Sequence, residues 1–230
     1  MLKFLKSQFF VEKSRLPQDL MTETKEYDCF NFLYGDLVLE DFAIMGKENC
    51  LNKDYEDHIF NDLSYFEVYD ILNDSSIFDF EKQNKKISFL NLASNSGKLT
   101  IFSSIFHKFE KHVGVENFFE LHELSNYIFG KLKNSDYNIL SKTTNISFIN
   151  EGLLDAKLDG FNLLVIDYNN SNFNFNRMLE NKINAEVKKG SLIIKIIEPF
   201  EKNKKVNLLK TKILNRKDGE NIFVYYYTMT

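Results

Sequence analysis

The stretch that decides the fold is ISFLNLASNSG, residues 87–97. Its first half, Ile87–Leu92, is a short apolar run typical of a buried β-strand. Its second half, Ala93–Gly97, is small and polar, as expected of a tight turn. Apolar residues then recur at helical spacing at Phe102, Ile105, Phe106 and Phe109. The stretch therefore predicts a strand, a turn and a helix, the opening of a βαβ chain.

The alternation of strand and helix patterns continues to the end of the sequence. Further strands are predicted at His112–Glu116, Ile146–Ile149, Leu163–Tyr168, Ser191–Ile197, Val206–Leu214 and Ile222–Thr228, with helices over 118–132 and 173–187. The strands at 146–149 and 163–168 are apolar enough to be buried between helices. The last two strands have no helix between them, which predicts an antiparallel hairpin. The fold expected is α/β, with a doubly wound, seven-stranded, mostly parallel sheet and a C-terminal antiparallel β-hairpin.

The first eighty residues lack a clean periodicity, apart from a helical pattern over Ile59–Leu72. Residues 1–80 are interpreted as a partly helical N-terminal extension. The polar stretch EKQNKK at 81–86 marks a boundary, and residues 81–230 form the predicted Rossmann-like domain.

Composition narrows the classes of function. No apolar stretch reaches the roughly 20 residues that span a bilayer, so we expect a soluble, intracellular protein without a membrane partner. Cys29 and Cys50 are expected to be reduced, and the histidines lack the spacing of a metal site. The net charge of −4 does not suggest a general nucleic-acid binder. The basic run 202–217 is interpreted as a solvated face, with polyanion binding as the alternative.

A ligand site is expected where the first predicted strand ends. In doubly wound sheets the ligand lies outside the carboxyl ends of the strands, beside the first strand-to-helix turn. Asn91–Gly97 occupies that turn, and Glu116 ends the second strand, 25 residues after Asn91. A carboxylate in that position can accept hydrogen bonds from both hydroxyls of a ribose.

These residues resemble motifs of class I S-adenosylmethionine (SAM)-dependent methyltransferases. The turn is similar to the pattern D-x-G-x-G-x-G but keeps only Gly97, because Asn91 replaces the acid and Ala93 and Asn95 replace two glycines. The string HVGVE at 112–116 resembles the second motif, and seven strands with a terminal hairpin match the family's sheet. The resemblance implies that SAM is the cofactor, that 91–97 surrounds its methionine part, and that Glu116 binds its ribose. Either Glu151 or Asp155 would hold the adenine amino group.

Within that family, residues 60–230 are most similar to the disruptor-of-telomeric-silencing type of histone lysine methyltransferase. The likeness lies in Gly114-Val115-Glu116, Asn169-Asn170, the strand that ends in Glu198-Pro199-Phe200, and the tyrosine-rich last strand. It implies that Asn169 and Tyr168 lie at the methyl acceptor and that Phe60–Ser64 closes over the cofactor. The sequence departs from the pattern at Phe60-Asn61-Asp62 and at Gly152-Leu153-Leu154.

The expected function is methyl transfer to a nitrogen, with a protein lysine as the first acceptor to consider. Because the departures fall on cofactor contacts, a catalytically inactive, methyltransferase-like binding or scaffold protein is the alternative. A nucleic-acid methyltransferase is a further alternative. The expected partner is a protein substrate or binding protein, with nucleic acid as a second option through the basic run 202–217.

Overall fold

The computed structural model describes residues 21–35, 63–140, 145–168, 173–201, 203–216 and 221–230. The helices in these ranges are α1 (Lys25–Tyr34), α2 (Tyr65–Leu72), α3 (Ser75–Gln83), α4 (Lys98–Phe106), α5 (Phe119–Lys133) and α6 (Phe173–Glu186). The strands are β1 (Ser88–Leu92), β2 (Lys111–Glu116), β3 (Ile146–Asn150), β4 (Leu163–Ile166), β5 (Leu192–Ile196), β6 (Val206–Asn215) and β7 (Asn221–Met229). A 3₁₀ turn covers Asp136–Leu140.

The seven strands form one sheet in the order β3-β2-β1-β4-β5-β7-β6. Neighbours from β3 to β5 are parallel, whereas β7 is antiparallel to both β5 and β6. The order reverses between β1 and β4, so the carboxyl ends of these strands flank the point where ligands bind in doubly wound sheets. The predicted fold class is confirmed, including the C-terminal hairpin.

Two apolar cores lie on opposite faces of the sheet. Alternation along β1 sends Phe89 into one core and Leu90 and Leu92 into the other. The first core includes buried side chains of α1 to α5, and the second includes those of α6 and of the segment after β3. Both faces of the central strands are therefore covered, which explains their continuously apolar sequences.

The N-terminal extension differs in detail from the prediction. Helix α2 begins at Tyr65 rather than near Ile59, because Ser64 caps it in a capping box with Glu67. Residues 59–62 lie outside the described residues. Helices α1 and α3 were not predicted individually, and both pack their apolar residues into the first core.

Two further expectations about local structure were wrong. Helix α4 ends at Phe106, so Phe109 is not part of its stripe, although it is buried against Phe89 and His107. Strand β3 is an edge strand and not a strand buried between helices: its last residues are exposed, Ile149 by 43%.

Three cationic side chains of the basic run 202–217 form ion pairs within the chain. Lys210 Nζ lies 2.8 Å from Asp74 Oδ2, and Lys212 Nζ lies 3.4 Å from Asp70 Oδ1. Arg216 Nε lies 3.2 Å from Glu67 Oε1. These pairs join β6 and the residue after it to α2 and to the start of α3, which leaves less of the run's charge for a polyanion.

The described residues contain no helix long and apolar enough to cross a membrane. Over the same ranges, no group of three or more histidine, cysteine, aspartate or glutamate residues is placed to hold a metal ion. Cys29 is a buried free thiol, and burial raises its pKa to about 12. Cys50 lies outside the described residues.

Candidate functional site

The turn after β1 has left-handed backbone at three alternate positions, although only one of them is glycine. Ala93, Asn95 and Gly97 have φ values of +57°, +50° and +83°. Such left-handed conformations are costly for residues with a Cβ and are usually taken by glycine. The alternation falls on the three positions that are glycine in the pattern D-x-G-x-G-x-G. Two of these three positions carry a Cβ and still adopt the left-handed backbone.

Neighbouring elements hold the loop in this conformation. The Ser94 N–H donates to Val115 O of β2 at 2.9 Å, and the Ser125 hydroxyl of α5 donates to Asn95 O at 2.8 Å. The Tyr34 hydroxyl at the end of α1 donates to Ser96 O at 3.2 Å. Residues 93–98 are all buried. Contacts from three separate elements thus stabilise the loop in its strained conformation.

Phe148 of β3 packs directly against the loop, and its ring explains why positions 97 and 114 are glycine. A Cβ on Gly97 would lie 2.8 Å from the Phe148 ring, and a Cβ on Gly114 would lie 2.7 Å from it. Real Cβ atoms do not approach so closely. Gly114, in the middle of HVGVE, is therefore required because an aromatic ring fills the space above it.

Glu116 lies at the end of β2 with its carboxylate fully buried. Its Oε2 accepts from the Asn95 N–H at 2.8 Å, and its Oε1 accepts from the Phe118 N–H at 3.0 Å. Burial raises the pKa of Glu116 to about 7, and the nearby Asp167 adds to this rise, while the backbone donors oppose it. Among the described residues no cationic side chain forms an ion pair with Glu116.

Asn95 connects Glu116 to Asp167, which follows β4. The Asn95 backbone donates to Glu116, and its side-chain Nδ2 donates to Asp167 Oδ2 at 3.1 Å. Asp167 is placed by the sheet, because its N–H donates to Leu92 O at the end of β1. Two buried carboxylates from different strands thus meet at the second glycine position of the loop. Sequence reasoning did not select Asp167 as a site residue, although it stands at the carboxyl end of a predicted strand.

Several polar atoms of this cluster are buried without a hydrogen-bond partner among the described residues. They are Asn91 Oδ1, Ser94 Oγ and Asn95 Oδ1. Buried polar atoms are nearly always paired in folded proteins, so a group of orphans at one place requires an explanation. Two of the three are carbonyl oxygens, which accept hydrogen bonds. Together with the two carboxylates they form a site suited to a ligand rich in donors or positive charge.

A small cavity of about 120 Å³ lies next to this cluster, at the ends of β2, β3 and β4. Its wall includes Asp155, Tyr168 and Asn117. Both polar atoms of the Asn117 side chain are buried without a partner among the described residues. Asn117 directly follows Glu116, and that adjacency was the signal by which the sequence could have identified it.

The structure brings together most, but not all, of the residues that the sequence selected. Asn91, Ala93, Asn95, Gly97 and Glu116 lie in one cluster, and Asp155 and Tyr168 line the adjacent small cavity. Glu151 is not among the residues that line this cavity, and its backbone N–H donates to Glu116 O at 3.1 Å. Asn169 and Phe60–Asp62 lie outside the described residues.

No protein-family model matches the chain, and no curated protein matches its sequence. Solved structures do match. The magnesium protoporphyrin IX methyltransferase of Synechocystis with bound SAM matches with a TM-score of 0.53 and 9% identity, covering 95% of this chain and 100% of that one. The N-methyltransferase NodS of Bradyrhizobium japonicum matches with a TM-score of 0.51 and 7% identity, over 67% and 93% of the two chains.

At these identities the likeness concerns the fold. The chain has the α/β fold of class I methyltransferases. These structures do not single out the disruptor-of-telomeric-silencing type that the sequence motifs resemble.

Proposed function

We propose that this protein is a SAM-dependent methyltransferase that methylates a nitrogen atom, with a protein lysine as the first acceptor to test. The observation that carries the proposal is the left-handed backbone at Ala93, Asn95 and Gly97 beside the buried Glu116. Left-handed backbone at two residues with a Cβ, Ala93 and Asn95, is costly, and such strain persists mainly at functional sites.

The chemistry of the cluster fits SAM. The ligand carries an ammonium group, two ribose hydroxyls and an adenine amino group, all of which donate hydrogen bonds. The acceptors available are the carboxylates of Glu116 and Asp167 and the carbonyl oxygens of Asn91 and Asn95. A carboxylate offers about four lone-pair sites, so Glu116 can accept from a ribose besides its two backbone donors.

When bound, SAM supplies a methyl group activated by a sulfonium, so the chain's own residues need only bind and align. Asp155 and Asn117 would hold the adenine in the small cavity, since both line it. Tyr168 lines the same cavity, and its ring lies 4.9 Å from that of Phe175. Tyr168 and Asn169, which directly follow Asp167 in the sequence, are our candidates for contact with the methyl acceptor because of the resemblance of the sequence motifs. Alignment of this kind supplies much of the rate of such a transfer.

A second function is favoured by a specific observation. Both Glu116 oxygens and the Asn95 Nδ2 are already engaged with groups of the chain itself. A site whose buried carboxylate is already engaged in this way would suit a catalytically inactive, methyltransferase-like scaffold that binds a partner protein. The enzyme must bind SAM, whereas the scaffold need not.

Calorimetric titration with SAM tests the proposal. The titration belongs at pH 8, where Glu116 is mostly ionised if its pKa is about 7. We expect binding, and we expect Glu116→Gln to weaken it by about tenfold or more, since hydrogen bonds to a charged group contribute about 1.5–3 kcal/mol. Glu110→Gln is the matched control, because Glu110 is an exposed carboxylate in the loop before β2.

The outcomes separate the candidates. No heat with SAM at millimolar concentration contradicts the enzyme and favours the scaffold. If SAM binds, transfer of a radiolabelled methyl group from SAM to protein or to nucleic acid identifies the acceptor class. Label in nucleic acid alone would replace the lysine proposal with the nucleic-acid methyltransferase.

A further inference from the structure

A second cavity, of about 440 Å³, lies apart from the cofactor loop, between α1, α2 and the end of β6. This volume is within the range of small-molecule sites, roughly 300–1,000 Å³. We call it the aromatic cavity. Its described lining residues include four with aromatic rings and three with charged side chains: Tyr27, Phe30, Tyr65, Phe66, Glu67, Asp70 and Arg216.

Four aromatic rings form much of its wall. The centroid of the Tyr65 ring is 5.2 Å from that of Tyr27, 5.6 Å from that of Phe30 and 5.8 Å from that of Phe66. Each of these three pairs is edge-to-face, whereas the rings of Tyr27 and Phe66, 6.0 Å apart, are inclined to each other by only 31°. Rings from α1 and α2 thus line the cavity together, and aromatic rings are the side chains that form the cages for quaternary ammonium groups.

The described residues that line the cavity include more acidic than basic side chains. Among its described lining residues are two carboxylates, Glu67 and Asp70, and one guanidinium, Arg216. Arg216 pairs with Glu67, whose other oxygen accepts from the Ser64 N–H at 2.6 Å. Asp70 is approached by Lys212 only at 3.4 Å, and burial raises the pKa of Asp70 above its usual value. The lining residues alone therefore carry one net negative charge, and Lys212, which lies outside the lining, pairs with Asp70 at 3.4 Å.

The rings of this region already hold one ammonium group. Lys98 Nζ lies 5.3 Å from the centroid of Phe30 and 5.2 Å from that of Tyr34. Phe30 thus lies near one cation and also lines the aromatic cavity. The neighbourhood is consequently compatible with cation–π contacts of the usual length, within about 6 Å of the ring centroid.

We propose that the aromatic cavity is a binding site for an organic ammonium group, held by the faces of Tyr27, Tyr65 and Phe66 and by the carboxylate of Asp70. This site is separate from the Asn91–Gly97 loop, and the inference does not depend on whether SAM binds there. Two sources share the chemistry: the side chain of a lysine and a quaternary ammonium compound.

Titrations followed by the amide resonances of α2 test this site directly. The probes are N-acetyl-lysine-N-methylamide and tetramethylammonium, and the uncharged control is N-acetyl-norleucine-N-methylamide. We expect at least one cationic probe to shift the resonances of Tyr65–Asp70 in a saturable way, and the norleucine compound to bind at least about tenfold more weakly. The probe that binds more tightly identifies the source.

Two variants locate the site, and each has a matched control. Asp70→Asn keeps the shape of the side chain and removes its charge, so cation affinity should fall by about tenfold. Tyr27→Leu removes one partly buried ring and should also weaken binding. Asp79→Asn and Tyr127→Leu change an exposed acid and an exposed ring elsewhere, and should leave binding unchanged.

Any one of three results would overturn the inference. Equal binding of the norleucine compound, absence of binding by both cations, or unchanged cation affinity in both Asp70→Asn and Tyr27→Leu would each refute it. A SAM titration of Asp70→Asn keeps the two proposals apart, because we expect its SAM affinity to equal that of the unmodified protein. If SAM does not bind at the cofactor loop, the proposed cation site is unaffected. If no cation binds in the aromatic cavity, the proposed SAM site is unaffected.

Discussion

Ala93 has a left-handed backbone conformation. Its side chain is a methyl group, which cannot form a hydrogen bond that would stabilise this conformation. A residue with a Cβ loses roughly 1–2 kcal/mol at such a φ, whereas glycine adopts it freely. Ala93 is nevertheless fully buried, so its methyl group also contributes to the second core. The residue is therefore a compromise between packing and backbone strain, and the balance can be measured.

Replacing Ala93 by glycine relieves the strain at the same time as it removes a buried methyl group. Ala156 is equally buried but is not among the residues with positive φ, and its replacement loses the methyl group without relief. We expect Ala93→Gly to leave the unfolding free energy unchanged or to raise it by up to about 1 kcal/mol, and Ala156→Gly to lower it by about 1 kcal/mol or more. Urea denaturation measures both. Equal losses in the two variants would show that Ala93 is not strained.

Glu116 should make stability depend on pH in a defined window. Its pKa rises from 4.5 to about 7 on folding, so between these values the folded protein holds a proton that the unfolded chain has released. Unfolding then releases a proton, and the unfolding free energy falls as pH rises, by at most about 1.4 kcal/mol per pH unit. Above pH 7 both states are ionised and the slope disappears.

Glu116→Gln removes this titration while keeping the size of the side chain. Denaturation at pH 5, 6, 7 and 8 should show that the unmodified protein loses stability relative to the variant between pH 5 and 7. The difference should then level off. A constant difference across the range would mean that Glu116 is already ionised at pH 5, with the backbone donors outweighing its burial.

At the level of elements, the sequence predicted the strands of the sheet well and the early helices poorly. The strands are apolar runs bounded by polar turns, and this local signal does not depend on which elements pack against them. Helix α3 buries only Ile77 and Phe80, so its periodicity is too weak to see. Its start depends on Asp74, which caps it and also pairs with Lys210 far along the chain.

The candidate site was predictable to a similar degree. The turn at Asn91–Gly97 and Glu116 follow from strand ends, which the pattern of the sequence reveals. The bridge from Asn95 to Asp167 joins residues 72 positions apart and exists only because β1 and β4 are neighbours in the sheet. No local pattern contains that information.

The pair of Lys210 and Asp74 links the C-terminal hairpin to the N-terminal helices. The Asp74 side chain is fully buried and Lys210 is only 20% exposed. Removing one partner of a buried pair leaves an uncompensated charge, so Lys210→Met should lower the unfolding free energy by about 3 kcal/mol. Lys86→Met breaks an exposed pair with Glu110 and should change it by less than about 1 kcal/mol. Denaturant midpoints that agree within error would show that the link carries no stability.

Over the whole molecule, the N-terminal extension and the sheet share one core. Phe102 of α4 contacts Phe30 of α1 and Tyr65 of α2, and the Tyr226 hydroxyl of β7 donates to Ile71 O. The described parts of residues 1–80 therefore cover a face of the sheet. The boundary that the polar stretch 81–86 predicts is a change in sequence character, and we propose that it does not separate two independently stable units.

Deleting residues 1–80 tests that proposal. Val68, Ile71, Leu72 and Ile77 are fully buried, and at roughly 2 kcal/mol each they contribute about as much as the whole stability of an ordinary domain. We expect residues 81–230 to lack a cooperative thermal transition by circular dichroism, and residues 63–230, which keep α2 and α3, to retain one at a lower temperature than the full chain. A cooperative transition of 81–230 at the temperature of the full chain would establish the predicted boundary as a true domain boundary.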